Sequence, residues 1–81
     1  MNLNIRLFAT LKERAGASQI SLEVSEPAIV SDILSALTEN HPAIRPSLQS
    51  ILVSVNQEYA ERTQSIHPGD EIAQFPPVSG G

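Results

Sequence analysis

The sequence contains no cysteine and no tryptophan. Without thiols there are no disulfides, no thiolate metal sites and no cysteine nucleophile. Apart from the thioether of Met1, the chain carries no sulfur of its own. Basic residues are scarce, five Lys plus Arg against nine Asp plus Glu, for a net charge of −4. That balance argues against nucleic acid or an anionic membrane surface as a partner, because both reward clustered basic charge. It leaves room for a basic protein partner. No apolar run approaches the roughly 20 residues that span a bilayer. The opening "MNLNIRLFATLKER" lacks the charged-then-apolar layout of a signal peptide, so a cytoplasmic protein is expected. There is no phosphate-cradling glycine loop and no nucleophile elbow, and with them goes any evident means of splitting ATP. At 81 residues the chain is one small domain.

What is present is a change of hydrophobic period along the chain. In "NLNIRLF", Leu3, Ile5 and Leu7 alternate with Asn2, Asn4 and Arg6, the period of a half-buried strand. "ATLKERAGAS" holds helix formers and then Gly16, and reads as a connecting loop or a single helical turn. "QISLEV" alternates again through Ile20, Leu22 and Val24, so the first two strands are expected to form a hairpin. Val30, Ile33, Leu34 and Leu37 then recur at helical spacing, with Ser25 and Pro27 upstream and Pro42 as the stop. "AIRPSLQS" reads as an irregular link and "ILVSV" as a buried strand. "NQEYAERTQSI" opens on a turn signal at Asn56 and is weakly patterned. "HPGD" places Pro68 and Gly69 as a type II turn requires, and "EIAQF" is the last strand. Strand, strand, helix, then further strands predicts an α+β domain. It is a β-grasp, or ubiquitin-like, mixed sheet with one main helix packed across it and the first and last strands central. The expected division is a β-grasp domain over residues 1–75 and a flexible, extended tail over 76–81.

Most polar clusters have plain explanations. Asp70 and Glu71 are strand neighbours and point to opposite faces, which suits a solvated turn better than an acid/base pair. His41 and His67 each precede a proline, with nothing at metal-ligand spacing beside them, and no metal site is expected. The aromatics are Phe8, Tyr59 and Phe75. Aromatics are enriched at interface centres. Phe8 falls off the apolar face of its strand and Phe75 sits at the base of the tail, which makes both candidate contact residues.

The tail is the most informative stretch. Pro76 and Pro77 hold their own φ angles and bias the residues before them toward extended backbone. Residues 76–81 reach about 20 Å when extended. Gly80 and Gly81 carry no Cβ and suit a narrow channel. The expected product is a thin arm bearing the Gly81 carboxylate into another protein's active site.

On these residues the chain resembles the ubiquitin-like sulfur-carrier family, and within it the small, sulfur-carrier subunits of molybdopterin synthase. "IRLFATLKERAG" is similar to that family's first strand and loop, "VNQEYA" to the segment after its third strand, and "GDEIAQFPPVSGG" to its C-terminal signature. Gln74 departs from the pattern: an aromatic is expected there, and its loss is expected to weaken a hydrophobic contact with a partner. The resemblance implies that Gly81 is adenylated by a ubiquitin-activating-like enzyme that consumes ATP. A sulfur donor protein then converts it to a thiocarboxylate. The carrier gives that sulfur to a pyranopterin precursor inside the large catalytic subunit, in a heterotetramer. It implies no stably bound cofactor and no catalytic side chain in this chain. Phe75, Pro76, Pro77, Val78 and Ser79 become the threading arm, with Gly80 as its slim end. Phe8, Lys12 and Tyr59 fall on the family's partner-contacting surface. Three alternatives stay open: a carrier for thiamine synthesis or tRNA thiolation, a ubiquitin-like modifier joined to lysines through Gly81, and a β-grasp binding module with an inert tail.

Overall fold

In the computed structural model, which describes residues 1–76, the first alternation becomes β1 (Asn2–Leu7), with Leu3, Ile5 and Leu7 buried. The next segment is more ordered than its sequence suggests. Ala9–Ala15 form a helix, α1, whose one buried residue is Leu11. Gly16 closes it in the left-handed region at φ 75°, donating its N–H to the Lys12 carbonyl at 3.0 Å. The chain then returns as β2 (Gln19–Glu23), antiparallel to β1, with Leu3 opposite Leu22 and Ile5 opposite Ile20. The expected strand pair is there, with a helix as its connection.

The main helix starts later than Ser25 and Pro27 imply. Ala28–Ile29 form a short strand, β3, and α2 runs over Val30–Asn40. Asp32 fixes the start: its Oδ2 accepts the Ile29 N–H at 2.9 Å, satisfying a donor at the helix entrance. Val30, Ile33, Leu34 and Leu37 are buried, as their spacing predicts. The helix stops before Pro42. The stretch read as an irregular link is a 3₁₀ helix, Pro42–Ser50, which buries Ile44. A 3₁₀ run of this length is uncommon and leaves carbonyls in need of donors. Arg62 supplies one, its Nη2 donating to the carbonyls of Leu48 (2.9 Å), Gln49 (3.2 Å) and Ile51 (3.3 Å).

β4 (Leu52–Val55) and β5 (Glu58–Ala60) form a hairpin across Asn56 and Gln57. Both turn residues have positive φ, 53° and 71°, as a two-residue type I′ turn requires. β6 (Ser65–Ile66) pairs with β3 to make a separate two-stranded ladder. The turn at His67–Asp70 is the expected one, with Gly69 at φ 89° and the Asp70 N–H donating to the His67 carbonyl at 3.1 Å. β7 (Ile72–Phe75) completes the main sheet in the order β2-β1-β7-β4-β5. It lies in the middle, parallel to β1 and antiparallel to β4. This is the mixed sheet expected of a β-grasp domain. Its inward residues join α2 and Leu11 of α1 in one core. Among the described residues no helix is long and apolar enough to cross a membrane.

Candidate functional site

The outward positions of the sheet assemble the candidate surface. Arg6 pairs with Gln19 and Ala73, Ala73 with Ser54, and Ser54 with Tyr59, so one row of residues crosses all five strands on the face turned away from α2. In the next row toward the C-terminal end of β7, Phe75 lies opposite Leu52. Phe8 continues the outward series of β1 and reaches the same place. Its ring stacks on Phe75 with centroids 4.8 Å apart and planes 10° from parallel. The Phe8 N–H donates to the Gln74 carbonyl at 3.3 Å, tying the end of β1 to the end of β7. Ala9 then takes a φ of 52°, a left-handed conformation that costs a residue with a Cβ. That turn carries the chain off the sheet into α1 directly after Phe8.

The result is an apolar surface with a shallow cavity of about 340 Å³, bordered by Phe8, Phe75, Tyr59, Ala73 and Arg6 among others. Phe8 is 38% exposed, Leu52 37% and Tyr59 76%. Large side chains left this open are unusual on a small domain that has a core to bury them in, and together they fit a contact surface. Lys12 borders an adjoining cleft with Arg6 and Phe8. The structure therefore brings together Phe8, Phe75, Tyr59 and Lys12, and Pro76 follows directly from β7. Pro77, Val78, Ser79, Gly80 and Gly81 lie outside the described residues. Leu52 and Ala73 join the surface without having been picked out in the sequence. The signal for Leu52 was its phase: it alternates with the inward residues Val53 and Val55.

Gln74 does not reach this surface. Its side chain is 0% exposed on the core side of β7, and both amide atoms lack a hydrogen-bond partner. A direct effect on a partner contact, as expected from the sequence, is thereby corrected. Alternation along β7 puts Phe75 outward and Gln74 inward.

Asp70 is a fastener. Its Oδ2 accepts the His67 N–H at 2.8 Å, and its Oδ1 accepts from Asn56 Nδ2 at 3.0 Å. These bonds favour the ionised carboxylate, and the His67 backbone bond does most to hold its pKa below the ordinary aspartate value. Asn56 Oδ1 in turn accepts the Glu71 N–H at 3.0 Å, so the β4–β5 turn and the start of β7 are stitched together. Among the described residues no group of three His, Asp or Glu could hold a metal ion.

A family model described as the ThiS family matches residues 5–81. A molybdopterin synthase sulfur carrier subunit from Dictyostelium discoideum is 40% identical over 80 residues, spanning 95% of this chain and 93% of that one. Small archaeal modifier protein 1 from Haloferax volcanii is 39% identical over 84 residues, spanning 94% and 97%. The crystal structure of SAMP1 from Haloferax volcanii matches all of both chains with a TM-score of 0.90 at 37% identity.

Proposed function

Because the chain belongs to the ThiS family, we propose that it is a sulfur carrier for molybdopterin synthesis, docking through the Phe8–Phe75 surface and reacting at Gly81. The stacked pair is the observation that carries the reading. It sets an exposed apolar anchor at the point where β7 passes into Pro76. A partner gripping that anchor receives the tail in a defined place.

A carboxylate is a poor electrophile and a hard nucleophile. On an adenylating enzyme, a Gly81 oxygen attacks the α-phosphate of ATP and pyrophosphate leaves, giving an acyl-adenylate. The terminal persulfide sulfur of a donor protein attacks the carbonyl carbon and AMP leaves, giving an acyl disulfide. A thiol then attacks the donor's own sulfur, the S–S bond breaks, and the thiocarboxylate is released as the donor and the thiol form a disulfide. The carrier then docks on the large catalytic subunit, where the thiocarboxylate sulfur bonds to the pyranopterin precursor and water cleaves the Gly81 C–S bond, leaving the sulfur on the precursor and the carboxylate on the carrier. Phe75, Pro76, Pro77, Val78 and Ser79 act as the arm, and Gly80 admits the end to the pocket. Phe8, Tyr59 and Lys12 are the docking residues. ATP is a substrate of the activating enzyme, and the synthase is a heterotetramer of two carriers and two large subunits.

Sequence composition makes the test clean. The chain is co-expressed with its adenylating enzyme and sulfur donor, and its intact mass is read before and after a thiol-reactive probe. With no cysteine in the chain, exchange of one oxygen for sulfur and a single probe adduct locate the thiocarboxylate at the C-terminus. A plain carboxylate that never takes the probe, beside an active enzyme and donor, overturns the reading. Deleting Gly81 is expected to abolish transfer while leaving the domain folded.

A second reading rests on the relative named a modifier protein. The same acyl-adenylate can be captured by an amine, which makes an amide in place of a thiocarboxylate. Higher-mass conjugates in lysate, absent when Gly81 is deleted, distinguish it.

A further inference from the structure

The sequence has a single lysine, Lys12. It is exposed on α1 and, among the described residues, has no hydrogen-bond or ion-pair partner for its ammonium. The other amine, at Met1, is partly buried and donates to the Val24 carbonyl at 2.6 Å, tied to the end of β2. Lys12 borders a cleft of about 220 Å³ together with Arg6, Phe8 and Ser18. Phe8 is at the same time half of the stack on Phe75. The one available amine therefore sits on the rim of the docking surface.

We propose that Lys12 is an acylation site for the C-terminus of a second copy of this chain, and that the branch so formed closes the Phe8–Phe75 surface to other partners. The inference rests on the reading that Gly81 is adenylated. The neutral Lys12 Nζ attacks the Gly81 carbonyl carbon of the second copy's acyl-adenylate. A C–N bond forms, the C–O bond to AMP breaks, AMP departs with the electron pair, and the amine proton passes to solvent. ATP is consumed by the adenylating enzyme. The product is an amide, so the rim loses a positive charge as it gains a chain. The tail of the second copy then lies beside Phe8, where a docking partner has to seat. Unused activated carrier thereby removes other carriers from service when sulfur is scarce. Having one lysine also restricts any polymer to one linkage.

The full chain is incubated with its adenylating enzyme and Mg-ATP without a sulfur donor. A parallel reaction contains hydroxylamine, which traps the acyl-adenylate as a hydroxamate. The expected product is a dimer of twice the chain mass less one water. After trypsin it yields the peptide 7–14 joined through Lys12 to 63–81. Lys12→Arg, which keeps the positive charge, is expected to remove the dimer, with the dimer yield normalised to the hydroxamate that the same variant gives in the parallel reaction. The purified dimer is expected to bind the large subunit about tenfold or more weaker than the monomer, the loss typical of a covered anchor. Hydroxamate without dimer overturns the inference and leaves the adenylation reading standing. So does a dimer that persists in Lys12→Arg, or one that binds as the monomer does. Absence of hydroxamate overturns the adenylation reading and the inference with it.

Discussion

Gln74 turns its side chain into the core, while Phe75, the next residue, lays its ring on the opposite face against Phe8. Two adjacent positions thus answer to different demands, one to packing and the other to recognition. The buried amide is the weak point of the core. A polar group left without a partner costs about 1–3 kcal/mol, and a volume-conserving apolar replacement removes that cost with little strain. Gln74→Met is expected to stabilise the domain by about 1–2 kcal/mol, read as a higher urea midpoint with an unchanged slope. A lower midpoint contradicts this assignment.

Phe8 and Phe75 are expected to act as a pair. Phe8→Ala and Phe75→Ala should each weaken binding to the large subunit by about 1 kcal/mol or more, the loss typical of interface anchors. In the free chain, a double-mutant cycle followed by denaturation should give a coupling of about 0.5–1.5 kcal/mol for the stack. Unchanged affinity for both variants, by titration calorimetry, would place the interface elsewhere.

The type I′ turn offers a stabilising substitution away from the core. Gln57 holds a φ of 71° with a full side chain. Glycine adopts that conformation without steric cost, and Asn-Gly is the favoured pair for this turn. Gln57→Gly is expected to raise stability by about 0.5–1 kcal/mol, measured by thermal and urea unfolding together. A loss in both would mean that the Gln57 side chain contributes more than its backbone strain.

Asp70 makes stability depend on acidity. Its pKa is lowered in the folded state, chiefly by the His67 backbone N–H and then by Asn56. Its contribution is therefore complete above the unfolded value of about 3.9 and is lost as pH falls through the lower folded value. Both Asp70 bonds are exposed to solvent and asparagine keeps an acceptor oxygen, so Asp70→Asn is expected to be less stable than the parent by up to about 1 kcal/mol at neutral pH. That gap should close progressively below about pH 4. A gap of constant size from neutral to strongly acid solution would remove the carboxylate from this role.

What the sequence reveals follows from the length of each periodic signal. β1 and α2 carry three or more core residues at regular spacing, β2 carries Ile20 and Leu22 with the partly buried Val24 continuing the alternation, and each was legible. α1 was not, because it buries Leu11 alone and so has no repeat to detect. β3 and β6 have two residues each, too few to alternate. The 3₁₀ helix has two prolines and a period that amphipathic patterns do not follow. The candidate surface was legible in its aromatics, since Phe8 and Phe75 stood out by phase and position. Their stacking was not, because it depends on the parallel register of β1 and β7, two segments far apart in the chain. The orphaned amide of Gln74 belongs to the same class of fact: it exists only once the strand is placed.

The placement of β7 also has a consequence for how the protein is made. The strand that fills the middle of the sheet is the last of the strands to be synthesised. Until residues 72–75 emerge from the ribosome, β1 and β4 have no shared neighbour, and the sheet is two unjoined pieces. Folding must therefore wait for the final strand and its long-range pairings. A chain cut short by premature termination cannot assemble the stacked aromatic pair. Translation through Phe75 is the condition for forming the Phe8–Phe75 surface, so the topology itself screens out chains that lack the last strand.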